Sequence, residues 1–250
     1  NNGQGVQIKE LSTIKRYFDR KDLLEQLDQS LQELGKESED VSDTVFAFDQ
    51  NWLEDGDLTA EKKAVVKELS DELDLHALGQ FSVAQALAEA RLTANENDSC
   101  LLLHFREESF DLIFLKRGQL LDVIKVGRSA DVLADVQEAL ARAAKHLNEE
   151  GQYLPEKILL TSLALNQKDL GKLQQALNQY DWAGNPAFLK EPSIAVMESD
   201  YMIKSISLAA GKILSKQELR AHLPSTAAVA ADFSQPTLTA TQEENTVASK

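Results

Sequence analysis

CLLLHFREESFDLIFLKRGQLLDVIKVG, residues 100–127, decides how this chain reads. Cys100 to Phe105, Ser109 to Lys116 and Gln119 to Val126 are rich in Leu, Ile, Val and Phe. Runs of that kind, bounded by polar breaks, read as strands. The breaks themselves, Arg106-Glu107-Glu108 and Arg117-Gly118, are long enough only to reverse the chain. The stretch therefore predicts a three-stranded antiparallel meander. A long helix is expected next, from Ser129 to Glu149, with Val132, Val136, Leu140, Ala143 and Leu147 on one face and Gly151 as its stop.

Upstream, Val6 to Leu11 alternates apolar and polar residues as a strand would. Asp22 to Leu34 places five leucines at helical spacing before Gly35. Thr44 to Phe48 reads as a short buried strand, and Asp55-Gly56 as a turn. Thr59 is positioned to cap a helix striped by Val65, Val66, Leu69 and Leu73. Lys62 stands where a capping box would need Glu or Gln. Leu75 to Val83 reads as a strand and Ala84 to Ala94 as an Ala-rich helix. Downstream, Lys157 to Leu160 and Ser193 to Met197 read as strands, and Tyr180 to Trp182 as a short extended piece. Lys168 to Leu177 and Tyr201 to Leu214 read as helices. From Leu223 the composition turns to Ala, Ser, Thr, Gln and Pro without periodicity, which predicts a disordered tail.

Composition narrows the function classes. Of 250 residues, 43% are hydrophobic, enough for a packed core, and the formal net charge is -15. An acidic chain does not supply the clustered Lys and Arg of a nucleic-acid groove, nor the basic face that docks on anionic lipid. No run approaches the ~20 apolar residues that span a bilayer, so no direct membrane insertion is expected. No signal peptide is visible; the opening Asn1-Asn2-Gly3-Gln4-Gly5 lacks an initiator Met, reads as a loop, and suggests a segment of a longer protein. The single cysteine, Cys100, excludes an internal disulfide, fits a reducing compartment and reads as a buried structural thiol.

Three strings carry a family resemblance: Leu101 to Leu112 across the first break of the meander, Ile158 to Ala164, and Ser207-Leu208-Ala209-Ala210-Gly211. With the order of elements around them, they resemble the actin-like ATPase superfamily of sugar kinases, heat-shock chaperones and actin. Within it they are most similar to the bacterial branch of PilM-, GspL- and FtsA-like pilus-assembly, secretion and division proteins, and to uncharacterised actin-like proteins of candidate phyla. The resemblance runs from about Val6 to Leu214. It implies an α/β fold of actin-like (ribonuclease H-like) mixed sheets flanked by helices, in two related subdomains. Residues 1–96 would be an incomplete N-terminal half, 97–222 the C-terminal half, and 223–250 a tail or linker.

The same resemblance assigns a nucleotide cleft whose chemistry is altered. The family's second phosphate loop reads like Asp-Ile-Gly-x-x-x-Thr-Asp-Leu. Here His104 stands at the Asp position and Arg106 at the Gly position, followed by Glu107 and Glu108, with Ser109 the nearest hydroxyl. A phosphate loop needs Gly for close backbone approach and a carboxylate for the metal. Ser162, Leu163 and Ala164 replace the family's Gly-Gly-Gly turn, and the hairpin expected to hold the first phosphate loop before Val6 is missing from the sequence. The expectation is a pseudo-ATPase: a non-catalytic scaffold or protein-interaction domain without cofactor. It would sit in the cytoplasm, at a membrane-associated envelope, pilus or secretion-type assembly, bound to protein partners and no nucleic acid. The alternatives are a divergent ATPase or kinase whose first phosphate loop lies upstream of Asn1, and a protein-binding module without actin-like ancestry.

Other candidates read more plainly. His76, His104, His146 and His222 lack metal-ligand spacing. Ser129, with Asp131 behind it, reads as a helix cap rather than a phosphate site. Glu107 with Glu108, and Glu149 with Glu150, read as solvated charges rather than catalytic dyads. The acidic turn at Glu54-Asp55-Gly56-Asp57 lacks the ligand spacing and closing Glu of a calcium loop. Trp52, beside that turn, is a candidate partner-binding anchor.

Overall fold

The computed structural model describes residues 10, 12, 13, 15–35, 42–54, 56–96, 98–149, 153–182 and 187–221, the side chains of 146–149 and 216–221 excepted. The expected strand at Val6 to Leu11 (apart from Glu10), Asp55 of the turn, Glu150, Gly151, His222 and the tail from Leu223 lie outside these residues. So does the side chain of His146.

The first helix, α1 (Arg20–Glu33), begins where the Asp19 carboxylate accepts the Asp22 N–H at 2.9 Å. It is followed by Gly35, whose φ of +58° no L side chain adopts cheaply. β1 (Asp43–Phe48) leads into a 3-10 turn at Gln50–Trp52 and a small hairpin of β2 (Leu53–Glu54) and β3 (Asp57–Leu58). Thr59 caps α2 (Ala60–Glu72) as expected, its hydroxyl 3.3 Å from the Lys62 nitrogen. β4 (His76–Ser82) then returns parallel to β1. The reading of β1 as a buried strand needs correcting. Only Phe48 is buried, because among the described residues β1 is paired on one side only, by β4. The next helix, α3 (Val83–Thr93), starts with a capping box that went unread in the sequence: Ser82 and Gln85 exchange side chain-to-backbone bonds of 3.0 and 2.7 Å.

The meander forms as the pattern dictates. β5 (Cys100–Phe105), β6 (Ser109–Lys116) and β7 (Gln119–Gly127) are antiparallel neighbours. After α4 (Val132–Glu149), β8 (Lys157–Ser162) pairs parallel with β5 on its other side. α5 (Gln167–Gln179) then leads to β9 (Ser193–Val196), parallel to β8. The sheet order is β7-β6-β5-β8-β9, with only β6 running against the rest. This is the mixed, helix-flanked sheet of the ribonuclease H-like class expected for this part of the chain.

Strand alternation divides the core between the two faces of this sheet. Leu101, Leu103, Phe105, Phe110 and Leu112 pack against α4 and α5. Cys100, Leu102, Ile113, Leu115 and Leu159 pack against α3 and the last helix, α6 (Tyr201–Ala221). Each fully buried leucine contributes about 1.5–3 kcal/mol through removal from water. α6 also reaches β1 and β4, and its Lys212 pairs with Glu89 of α3. It thus joins the first strand pair to the five-stranded sheet.

One local expectation changes. The cap of α4 is Asp131, whose carboxylate accepts the Ala134 N–H at 3.1 Å. Ser129 instead donates its hydroxyl to Asp135 at 2.9 Å. Tyr180, at φ -69° and ψ 137°, is extended as expected. Trp182 is buried edge-on against Tyr180 and Phe188 and donates its indole N–H to the Leu177 carbonyl at 2.8 Å. Those contacts draw the chain back onto the end of α5.

Candidate functional site

Pairing in the central sheet places His104 of β5 opposite Asp111 of β6 and Thr161 of β8, with Asp111 in turn opposite Lys125 of β7. Directly opposed residues share a face. A row of polar side chains therefore crosses the sheet on the face that carries Cys100 and Leu102. His104, Asp111 and Thr161 are all buried. Asp49, just past the end of β1, comes within 3.8 Å of the His104 ring. The site therefore sits where the first strand pair meets the five-stranded sheet. Asp49 and Asp111 were absent from the sequence-derived site. Asp111 was not within reach of counting: a break of three residues would put His104 opposite Phe110, whereas the turn is closed by Arg106 and Ser109, which shifts the register by one and puts His104 opposite Asp111.

Burial sets the electrostatics. Desolvation pushes the His104 imidazole down to about 4; Asp49 opposes this and Arg106 reinforces it. The ring is therefore neutral at neutral pH, and neither of its nitrogens has a hydrogen-bond partner among the described residues. Desolvation likewise lifts the Asp111 carboxyl to about 6, with Arg106 pulling down, Asp49 pushing up and Lys125 pulling down.

The turn between β5 and β6 is occupied by its own side chains. The Arg106 guanidinium folds back onto the Asp111 carboxylate. The Arg106 N–H donates to the Ser109 carbonyl at 2.8 Å, closing the turn. Its own carbonyl accepts the Arg128 guanidinium at 2.5 Å, and the Glu108 carbonyl accepts the Arg128 N–H at 2.9 Å. Glu107 and Glu108 are exposed, and Glu107 pairs with Arg16 at 2.7 Å. Ser109 is buried at the start of β6, and no described hydrogen bond joins its hydroxyl to His104.

The second string meets the first at Ser162, which lies opposite Phe105 in the β5–β8 pairing. Its hydroxyl donates to the Phe105 carbonyl at 2.8 Å and accepts the N–H groups of Ala164 and Leu165 at 2.9 and 2.7 Å. Ser162 thus turns inward and locks the loop against β5. Leu163 points outward, 40% exposed, and Ala164 is half-buried.

The remaining candidates stay apart. Trp52 is half-buried, stacked on Phe48 at 5.3 Å, with the Lys62 ammonium 5.0 Å from its ring centre. His76 is exposed and pairs with Asp43 at 2.9 Å. Cys100 is fully buried, with its thiol pushed up to about 11 by desolvation, which describes an inert group. Among the described residues no group of three or more His, Cys, Asp or Glu is placed to hold a metal ion, and no helix is long and apolar enough to cross a membrane.

No protein-family model and no curated protein matches the sequence. Solved structures of similar fold include a Bacteroides thetaiotaomicron protein with an actin-like ATPase fold and unknown function. Its TM-score is 0.40 at 16% identity, covering 58% of this chain and 51% of that one. The ethanolamine utilization protein EutJ of Carboxydothermus hydrogenoformans gives 0.48 at 8% identity, over 76% and 74% of the two chains. A PilM–PilN type IV pilus biogenesis complex gives 0.36 at 18% identity, over 63% and 58%. The chain thus spans about half the length of the Bacteroides protein. Likenesses of this degree concern the fold alone.

Proposed function

We propose that this chain is a non-catalytic, actin-like protein-interaction domain whose inter-half site has lost nucleotide chemistry. The observation that carries the reading is the Arg106 guanidinium lying on Asp111 inside the β5–β6 turn. A phosphate-binding turn must present bare N–H groups to an anion. This turn uses the Arg106 N–H for its own closure and places two exposed carboxylates, Glu107 and Glu108, at its rim. With Asp49 and Asp111 behind them, an entering triphosphate meets four acidic side chains. The proposal extends to the setting implied by the sequence resemblance, the cytoplasmic side of a membrane-associated assembly. Attachment there would run through a protein partner.

Calorimetric titration with Mg-ATP tests the reading. The expected result is no heat of binding and no released phosphate. Micromolar binding with turnover would overturn it.

A further inference from the structure

Six buried side-chain nitrogen or oxygen atoms lack a hydrogen-bond partner among the described residues, and four of them sit in one place. They are both ring nitrogens of His104 and the Nε and Nη1 of Arg106. Native chains leave few buried polar atoms unpaired, and each one left so is destabilising. Such a concentration, around a histidine that is 1% exposed, marks a place where something else completes the bonding.

The surroundings define its chemistry. Asp49 beside the ring and Asp111 under Arg106 repel an anion. A metal ion finds no group of three His, Cys, Asp or Glu among the described residues, and meets the Arg106 charge besides. A neutral molecule that both donates and accepts fits. The neutral imidazole offers one N–H and one lone pair, Arg106 only N–H groups, and the Asp49 carboxylate only acceptors. Direct pairing does not complete the set: the His104 Nε2 stands 3.8 Å from the Asp49 Oδ1, beyond a hydrogen bond. One water, about 2.8 Å from each atom, spans that gap. The Asp49 side chain is 39% exposed, so water has a route to it.

We propose that the joint between the first strand pair and the central sheet is an internal water site with two positions. One water accepts the His104 Nε2–H and donates to Asp49. The second accepts an Arg106 N–H and donates to the His104 Nδ1. Each has the two polar partners that a buried water needs. Asp49 is then a positioning residue, which selects the Nε2–H tautomer and leaves Nδ1 as the acceptor. Two bound waters complete hydrogen bonds without restoring bulk solvation, so the ring stays neutral. At this point the strand pair meets the central sheet through water, not through a direct side-chain bond. The site is independent of the nucleotide question, which the Mg-ATP titration decides separately.

Deuteron magnetic relaxation dispersion, which registers long-lived internal waters, tests the site together with nitrogen NMR of the histidine rings. In the wild-type chain His104 is expected as the Nε2–H tautomer. His104→Leu, an apolar side chain of similar size, should lose the dispersion amplitude of two waters. Asp49→Ala should lose that of one, and its part-exposed position keeps the test available should His104→Leu fail to fold. Equal amplitudes in the wild type and Asp49→Ala overturn the proposal, and so does an Nδ1–H tautomer. In a high-resolution crystal structure, a solvent-sized peak within hydrogen-bond reach of both Nε2 and Asp49 supports it. A direct bond between those two atoms, or a larger bound species, overturns it.

Discussion

At pH 5 the buried pair His104 and Asp111 should bind as many protons folded as unfolded, and this balance can be broken from either side. Unfolded, the imidazole titrates near 6.5 and the carboxyl near 3.8, so at pH 5 both carry charge. Folded, desolvation holds the ring at about 4 and the carboxyl at about 6, so both are neutral. Stability depends on pH only through the difference in bound protons. At about 1.36 kcal/mol per pH unit, the descent of His104 from 6.5 to about 4 is worth about 3 kcal/mol. Its sign is that of a depressed base: the contribution is intact above 6.5 and is lost as the pH falls towards 4. The rise of Asp111 from 3.8 to about 6 is also worth about 3 kcal/mol by the same conversion, with the opposite sign. Its contribution is complete below 3.8 and is lost as the pH rises through 6. The two losses occupy nearly the same window and cancel in the wild type.

Single substitutions expose each half. Relative to wild type, Asp111→Asn should lose about 3 kcal/mol more between pH 7 and pH 4, because only the His104 penalty remains. His104→Gln should gain about 3 kcal/mol over the same interval, because only the Asp111 contribution remains. Urea denaturation of the three proteins at pH 7, 6, 5 and 4 measures both differences. If the three stability curves run parallel, neither group changes its proton affinity on folding, and the burial argument for this site fails.

Two further substitutions test how the site is held. Ser162→Ala removes one donor and one shared acceptor from a loop anchored by three bonds. It should cost about 1–3 kcal/mol and speed amide exchange at Ala164 and Leu165, while Leu163→Ser, at an exposed neighbour, should move the thermal midpoint little. At Gly79 of β4, an added methyl would stand 3.1 Å from the Ile213 Cγ2. Gly79→Ala should therefore cost about 1 kcal/mol by overpacking, and Ile213→Ala should remove most of that penalty in a double-mutant cycle by urea denaturation. No coupling would mean that α6 is not seated on β4.

How much of this was legible follows from the range of each interaction. The meander was readable because turn length and alternation are local, but its register was not: three residues between β5 and β6 would set His104 opposite Phe110, and closure of the turn by Arg106 and Ser109 sets it opposite Asp111 instead. Arg106 was readable as an obstruction, but its direction was not, since the Asp that draws it back lies on the next strand. Asp49 was not readable. Its approach to His104 depends on where β1 ends relative to a sheet formed by residues 100–196, which no local rule states. Ser162 was read as a crowding side chain, whereas its hydroxyl bonds β5, because the parallel pairing of β8 beside β5 places it opposite Phe105. Phe18 is the reverse case. There the local rule is explicit, and it predicts a closed staple on Leu23. Phe18 and Leu23 do line one groove, but the ring stays 94% exposed, because a staple is set by the path of the chain entering the helix as well as by the two residue types.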